Sequence, residues 1–121
     1  MFNNFFKKNK ETDSNLERIA LTTEAQLEEI LELSKHKTVL IFKHSTRCGI
    51  SSMVLKRFEN ALKENENDFK YYHLDLLKNR DLSSFIAQKF EVTHQSPQLI
   101  VIKNKVVDTH NSHYGIMDVV F

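Results

Sequence analysis

One side chain in this sequence is a soft nucleophile. Cys48 is the single cysteine. It lies in the stretch FKHSTRCGIS, Phe42 to Ser51, after an apolar run and at the start of a segment with helical spacing. A thiol at a helix start faces backbone N–H groups that have no intrahelical partner, together with the positive end of the helix dipole. Both favour thiolate over thiol, and the thiolate is the form that attacks a disulfide sulfur. Arg47 adds a fixed positive charge beside it. Gly49 leaves the approach to the sulfur open, and Ser51 can offer a hydroxyl to the thiolate one turn on. His44, four residues earlier, can stabilise the thiolate as imidazolium or pass a proton to a leaving thiol; the alternative is a loop histidine bonded to backbone. His94, in the loop EVTHQSP, is expected to face the sulfur across a cleft. The alternative for Cys48 is a small buried hydrophobe. Its polar neighbours (His44, Ser45, Thr46, Arg47, Ser51 and Ser52) argue against a dry site.

Other chemistries are less well served. Hydrolysis by a cysteine–histidine pair needs an oxyanion hole and an orienting Asn or Asp, and the sequence assigns neither. The six histidines include no H-x-x-x-H pair, and C-x-x-C is ruled out by count, so no metal site built from this chain is expected. His110 and His113 read as surface residues. One cysteine cannot form an intramolecular disulfide, so the fold must stand on packing alone, which suits a reducing compartment. A dithiol exchange mechanism is excluded on the same count.

The elements around Cys48 follow from hydrophobic spacing. A short apolar-alternating piece spans Arg18 to Leu21. Thr23 and Gln26 have capping-box spacing, ahead of a helix with Leu27, Ile30 and Leu31 on one face, ending near Lys35. TVLIFK, Thr38 to Lys43, is β-branched and almost wholly apolar, as expected of a strand covered on both faces. From Cys48, the residues Ser51, Val54, Leu55, Phe58 and Leu62 recur at steps of three and four, which predicts a helix ending between Glu64 and Asn67. FKYYHLDL, Phe69 to Leu76, is a second strand. Asp81 is placed to cap a helix burying Leu82, Phe85, Ile86 and Phe90. Pro97, the sole proline, precedes a third strand, Gln98 to Lys103. Asn104-Lys105 is a hairpin turn into VVDTH, Val106 to His110. The remainder is a short terminal helix or tail. Strands alternating with helices imply crossover units and parallel pairing, to which the hairpin adds antiparallel strands. The expected architecture is α/β: a mixed sheet of four or five strands with helices on both faces.

Composition bounds the setting. The 121 residues make one domain by size, and 40% hydrophobic residues supply its core. Residues 1–15 read as a flexible leader or, on a bolder reading, an aromatic docking tail carrying Phe2, Phe5 and Phe6. Residues 16–121 form the single domain. The formal net charge of +1 gives no electrostatic case for a nucleic-acid partner. No apolar run approaches the ~20 residues of a membrane helix, and the N-terminus lacks the apolar core of a secretory signal. A cytoplasmic monomer is expected.

A strand, a cysteine opening a helix, and a long gap to a loop with one proline before another strand together resemble the thioredoxin fold. The resemblance implies a cis Ser96–Pro97 bond packed against the cysteine. It also implies that Ser96 presents backbone groups that pair with a bound peptide in strand-like fashion. More narrowly, KHSTRCGIS followed by YYHLDLL, RDLS and THQSPQLIVIKN resembles the monothiol bacilliredoxin family, from about Leu21 to His113. The KHS-x-x-C and H-x-SPQ segments together carry that resemblance. It implies a cytoplasmic stress-response protein that exchanges thiols and disulfides, with no permanently bound cofactor. Its substrates would be mixed disulfides between client proteins and a low-molecular-weight thiol, bacillithiol, which also serves as co-substrate. Gly49 departs from the family pattern, in which another small residue or proline is common there. CGIS approaches the CGFS signature of monothiol glutaredoxins, which share an iron–sulfur cluster between two subunits, but the hairpin IKNKVV lacks their Gly-Gly pair. A third reading is a non-enzymatic thioredoxin-like adaptor.

Overall fold

The computed structural model describes residues 16–121, and the expectations for the leader lie outside them. The elements run β1 (Ile19–Ala20), α1 (Ala25–Leu33), β2 (Thr38–His44), α2 (Gly49–Lys63), β3 (Phe69–Asp75), α3 (Arg80–Phe90), β4 (Gln98–Lys103) and β5 (Val106–Ser112), then a 3-10 helix, His113–Asp118. The sheet order is β1-β3-β2-β4-β5. β1 and β2 both run parallel to β3, while β4 is antiparallel to β2 and to β5. This is the mixed five-stranded sheet with helices on both faces expected from the spacing.

The period-2 alternation of β2 divides the core. Val39 and Ile41, with Tyr72 and Leu74 of β3 and Ile100 and Ile102 of β4, pack against Leu27 and Ile30 of α1 and Leu82 and Ile86 of α3. Leu40 and Phe42, with Tyr71, Leu99 and Val101, pack against Val54, Leu55, Phe58 and Leu62 of α2 and Ile116 of the 3-10 helix. Two buried faces explain why the central strands read as continuous apolar runs rather than alternating ones.

Local chemistry sets the boundaries. The capping box forms: the Gln26 N–H donates to Thr23 Oγ1 at 3.3 Å and the Thr23 N–H to Gln26 Oε1 at 3.0 Å. The expected Asp81 cap does not. Asn79 takes the cap position of α3, and Asp81 falls in the first turn, where its charge still complements the helix dipole. Asn104 and Lys105 both have positive φ, 51° and 70°, as the primed turn of a two-residue hairpin requires. No glycine relieves that turn. Ser34 at the end of α1 holds it instead, accepting the Asn104 N–H on its carbonyl at 2.7 Å and the Lys105 N–H on Oγ at 2.8 Å. β5 extends two residues past the predicted His110, and the tail is the 3-10 helix.

Candidate active site

Cys48 stands where β2 turns into α2. It is the N-cap of that 15-residue helix, with extended backbone (φ −104°, ψ 116°). The first intrahelical bond runs from the Ser52 N–H to the Cys48 carbonyl, 3.2 Å. The N–H groups of Gly49, Ile50 and Ser51 therefore lie ahead of the hydrogen-bond ladder, at the end where N-cap side chains are normally Ser, Thr, Asp or Asn. A sulfur takes that place here. The residue is partly exposed, and a Cβ added at Gly49 would meet nothing within 4 Å. The approach beside the sulfur is open, as the glycine suggests. Arg47 is exposed and makes no ion pair among the described residues.

The turn that presents Cys48 is pinned from beneath. The Cys48 N–H donates to the Ser45 carbonyl at 3.1 Å. The Ser45 N–H donates to Ser51 Oγ at 3.1 Å, and His44 Nδ1 lies 2.7 Å from the same oxygen. Ser51 is 0% exposed and His44 6%. Two expectations change as a result. The Ser51 hydroxyl is engaged by Ser45 and His44 instead of being held out to the sulfur. His44 is a buried bracket of the turn, bonded to the Ser51 side chain: burial pushes its pKa below the ordinary value, opposed by the Asp75 carboxylate. The cause is a bend at Ser45–Cys48 that brings Ser51 back over the end of β2. The His73 ring lies beside it, 5.4 Å from the His44 ring. Burial, with Arg18 second, lowers the His73 pKa to about 4, so that ring is uncharged at neutral pH.

The Ser96–Pro97 peptide is cis. The β2–β4 pairing runs from Val39–Ile102 to Lys43–Gln98. One step further, His44 stands opposite Pro97, so the proline loop adjoins the turn that leads to Cys48. Pro97 is buried, and its carbonyl accepts the His113 N–H at 3.0 Å. Ser96 Oγ is buried without a hydrogen-bond partner among the described residues.

His94 has neighbours other than those expected. Its Nδ1 lies 3.4 Å from Lys43 Nζ and 3.3 Å from Ser83 Oγ, turned toward α3. Partial burial of the ring and, second, the Lys43 charge lower its pKa. Lys43 itself is 0% exposed. Its ammonium donates to the Ser83 carbonyl at 3.2 Å, and burial brings its pKa down to about 8. The sequence assigned no task to Ser83 or His73. For Lys43 the signal was present, because a lysine inside TVLIFK must point to one buried face or the other.

A thioredoxin-type sheet, a lone cysteine at a helix cap and a cis-proline loop beside it define a thiol–disulfide redox protein. The chain belongs to the family of the monothiol bacilliredoxin BrxC, whose model matches residues 19–119. Among solved structures it is similar to a thioredoxin-fold protein described as a candidate oxidoreductase, at 34% identity and TM-score 0.72, covering 82% of this chain and 85% of that one. It is also similar to Schistosoma mansoni thioredoxin, at 25% identity and TM-score 0.64, with 84% and 88% covered. Thioredoxin f of spinach chloroplast, at 14% identity and TM-score 0.67 with 90% and 86% covered, shares the fold.

Proposed function

We propose that this protein removes a low-molecular-weight thiol, bacillithiol, from mixed disulfides on client proteins, in the cytoplasm, through Cys48. The Cys48 thiolate attacks the small-thiol sulfur of the mixed disulfide. A bond forms between Cys48 and that sulfur, the bond to the client sulfur breaks, and the client leaves as thiolate and takes up a proton. A second small-thiol thiolate then attacks the sulfur of the bound small thiol. It departs as the symmetrical disulfide and returns the electron pair to Cys48. No second cysteine is needed, and no resident cofactor takes part.

The observation that carries this reading is the partly exposed thiol at the cap of α2 with open space beside Gly49. The unpaired N–H groups there stabilise the sulfur's negative charge each time it is released. Arg47 adds charge from the exposed side. Ser96 and Pro97 form the adjoining wall, where the client chain pairs with the backbone of Ser96. Exposed Ile50 and Met53 on α2 give that client apolar surface to cover.

A client protein carrying a bacillithiol mixed disulfide, incubated with the protein and free bacillithiol, reads the activity directly. Wild type should return the free client thiol, and Cys48→Ser should not, with its unfolding midpoint unchanged because Cys48 makes no structural bond. Release at equal rates by both would overturn the reading.

A further inference from the structure

Behind the thiol's turn lies a second constellation that the exchange steps do not use. A cleft of about 340 Å³ is lined by Leu76, Leu77, Arg80, Ser83, Ser84 and His94. Its polar groups are donors or hydroxyls, and no carboxylate lines it. Arg80 is exposed at the start of α3 and makes no ion pair among the described residues. Lys43 lies sealed behind the cleft wall, against the Ser83 carbonyl and His94 Nδ1. No acidic side chain within ion-pairing distance accompanies it among the described residues.

Donor counting assigns a tautomer to His94. A lysine ammonium has three donors and no acceptor, so its contact with Nδ1 makes that nitrogen the acceptor. On that assignment the ring proton sits on Nε2, and the His94 ring is part of the cleft lining. A guanidinium, an imidazole N–H and the Ser84 hydroxyl around an apolar floor of Leu76 and Leu77 match a carboxylate attached to a compact organic body. The location ties this cleft to Cys48. The Leu76 N–H donates to the His44 carbonyl at 2.8 Å, and His94 stands three residues before Pro97. Cleft and thiol therefore open at the same edge of the sheet, outside the carboxyl ends of β2 and β3, where α/β folds place their ligands.

We infer that this cleft is the specificity subsite of the exchange reaction, holding a carboxylate of the small thiol between Arg80 and the Nε2–H of His94, with Lys43 as the positioning residue that sets the tautomer. The inference rests on the exchange function proposed above and names the part of the small thiol that is recognised. The sulfur chemistry is unchanged. The carboxylate adds binding energy remote from the reacting atoms, so it should enter through KM rather than kcat.

The test compares oxidised bacillithiol with the same disulfide after methyl esterification of its malyl carboxylates. The readout is the rate of adduct formation on Cys48 over a range of concentrations. Wild type should prefer the carboxylate form by about tenfold, the scale of one charge-assisted hydrogen bond. Arg80→Ala should erase that preference, acting through KM for the carboxylate form, whereas Arg47→Ala should retain it. Lys43→Met should lower the preference and, in ¹⁵N spectra of the His94 ring, replace the single Nε2–H tautomer by a mixture. Equal rates for acid and ester in wild type, or a preference that survives Arg80→Ala, would overturn the subsite while leaving exchange at Cys48 intact. No adduct with either disulfide would overturn the exchange function and the subsite together.

Discussion

Lys43 and Ser51 make opposite demands on the folded chain. Ser51 satisfies two buried groups with one oxygen. Ser51→Ala leaves the Ser45 N–H and His44 Nδ1 unpaired away from water, and each such group costs about 1–3 kcal/mol. Urea unfolding should show that loss, and Cys48 alkylation should become faster and less selective as its turn loosens. Lys43 is a buried cation whose proton the folded state holds less tightly than the unfolded state does. Its pKa falls from 10.5 to about 8, so between those values the unfolded chain binds more protons and stability rises with pH. Below pH 8 the penalty is fully present, about 3 kcal/mol from that displacement. Lys43→Met removes it. The variant should be more stable than wild type at pH 7, and the difference should shrink as pH climbs toward 10. A constant difference across that range would contradict the assignment. At this scale the sequence disclosed the partly exposed thiol at the start of α2 and the open flank at Gly49, because each needs only its own residue type. It did not disclose the partners. At position 51 a hydroxyl can reach forward to a thiol or back to His44 and Ser45, and the bend of the turn decides. His94 meets Lys43 across 51 residues of sequence, a contact no local pattern encodes.

Among the elements, α2 matters most, because its N-cap is Cys48. Gly49 is its first residue, without positive φ, and a Cβ there meets open space. Gly49→Ala should therefore stabilise the domain by about 0.4–1 kcal/mol by restricting the unfolded chain, measured from the urea midpoint. Any fall in exchange rate would then report crowding of the sulfur, not damage to the fold. β4 was legible to the residue, and β2 and α2 to within one residue at the ends that differ, because their spacing is strong and their ends carry chain-breaking or polar residues. The cap of α3 was misplaced by two residues. Asp and Asn are equally good capping side chains, and it is Asn79 that holds the position while its side-chain amide donates to the Asp75 carbonyl at 3.0 Å. The end of β5 was also missed, since Asp108 to Ser112 is an unbroken polar run without a clear stop.

For the whole molecule, the two core clusters share the same central strands. α1 and α3 cover one side of β2, β3 and β4, and α2 and the 3-10 helix cover the other. A cavity on either side is then felt through the sheet, so the domain should unfold as one unit. Far-ultraviolet circular dichroism and tyrosine fluorescence should give coincident urea transitions, with Tyr71 reporting from one face and Tyr72 from the other. Separated transitions would contradict a single cooperative core. The α/β class and the position of the thiol at the sheet's carboxyl edge were readable from element order. Which face each helix covers became definite only with the register.

The central claim is that Cys48 accepts a small thiol from a disulfide and gives it up again. Intact-mass measurement of the reduced protein after exposure to oxidised bacillithiol, then to free bacillithiol, tests it most directly. The account predicts one adduct, absent in Cys48→Ser, that the free thiol removes. A protein whose mass never changes, or an adduct that the free thiol cannot release, would contradict it.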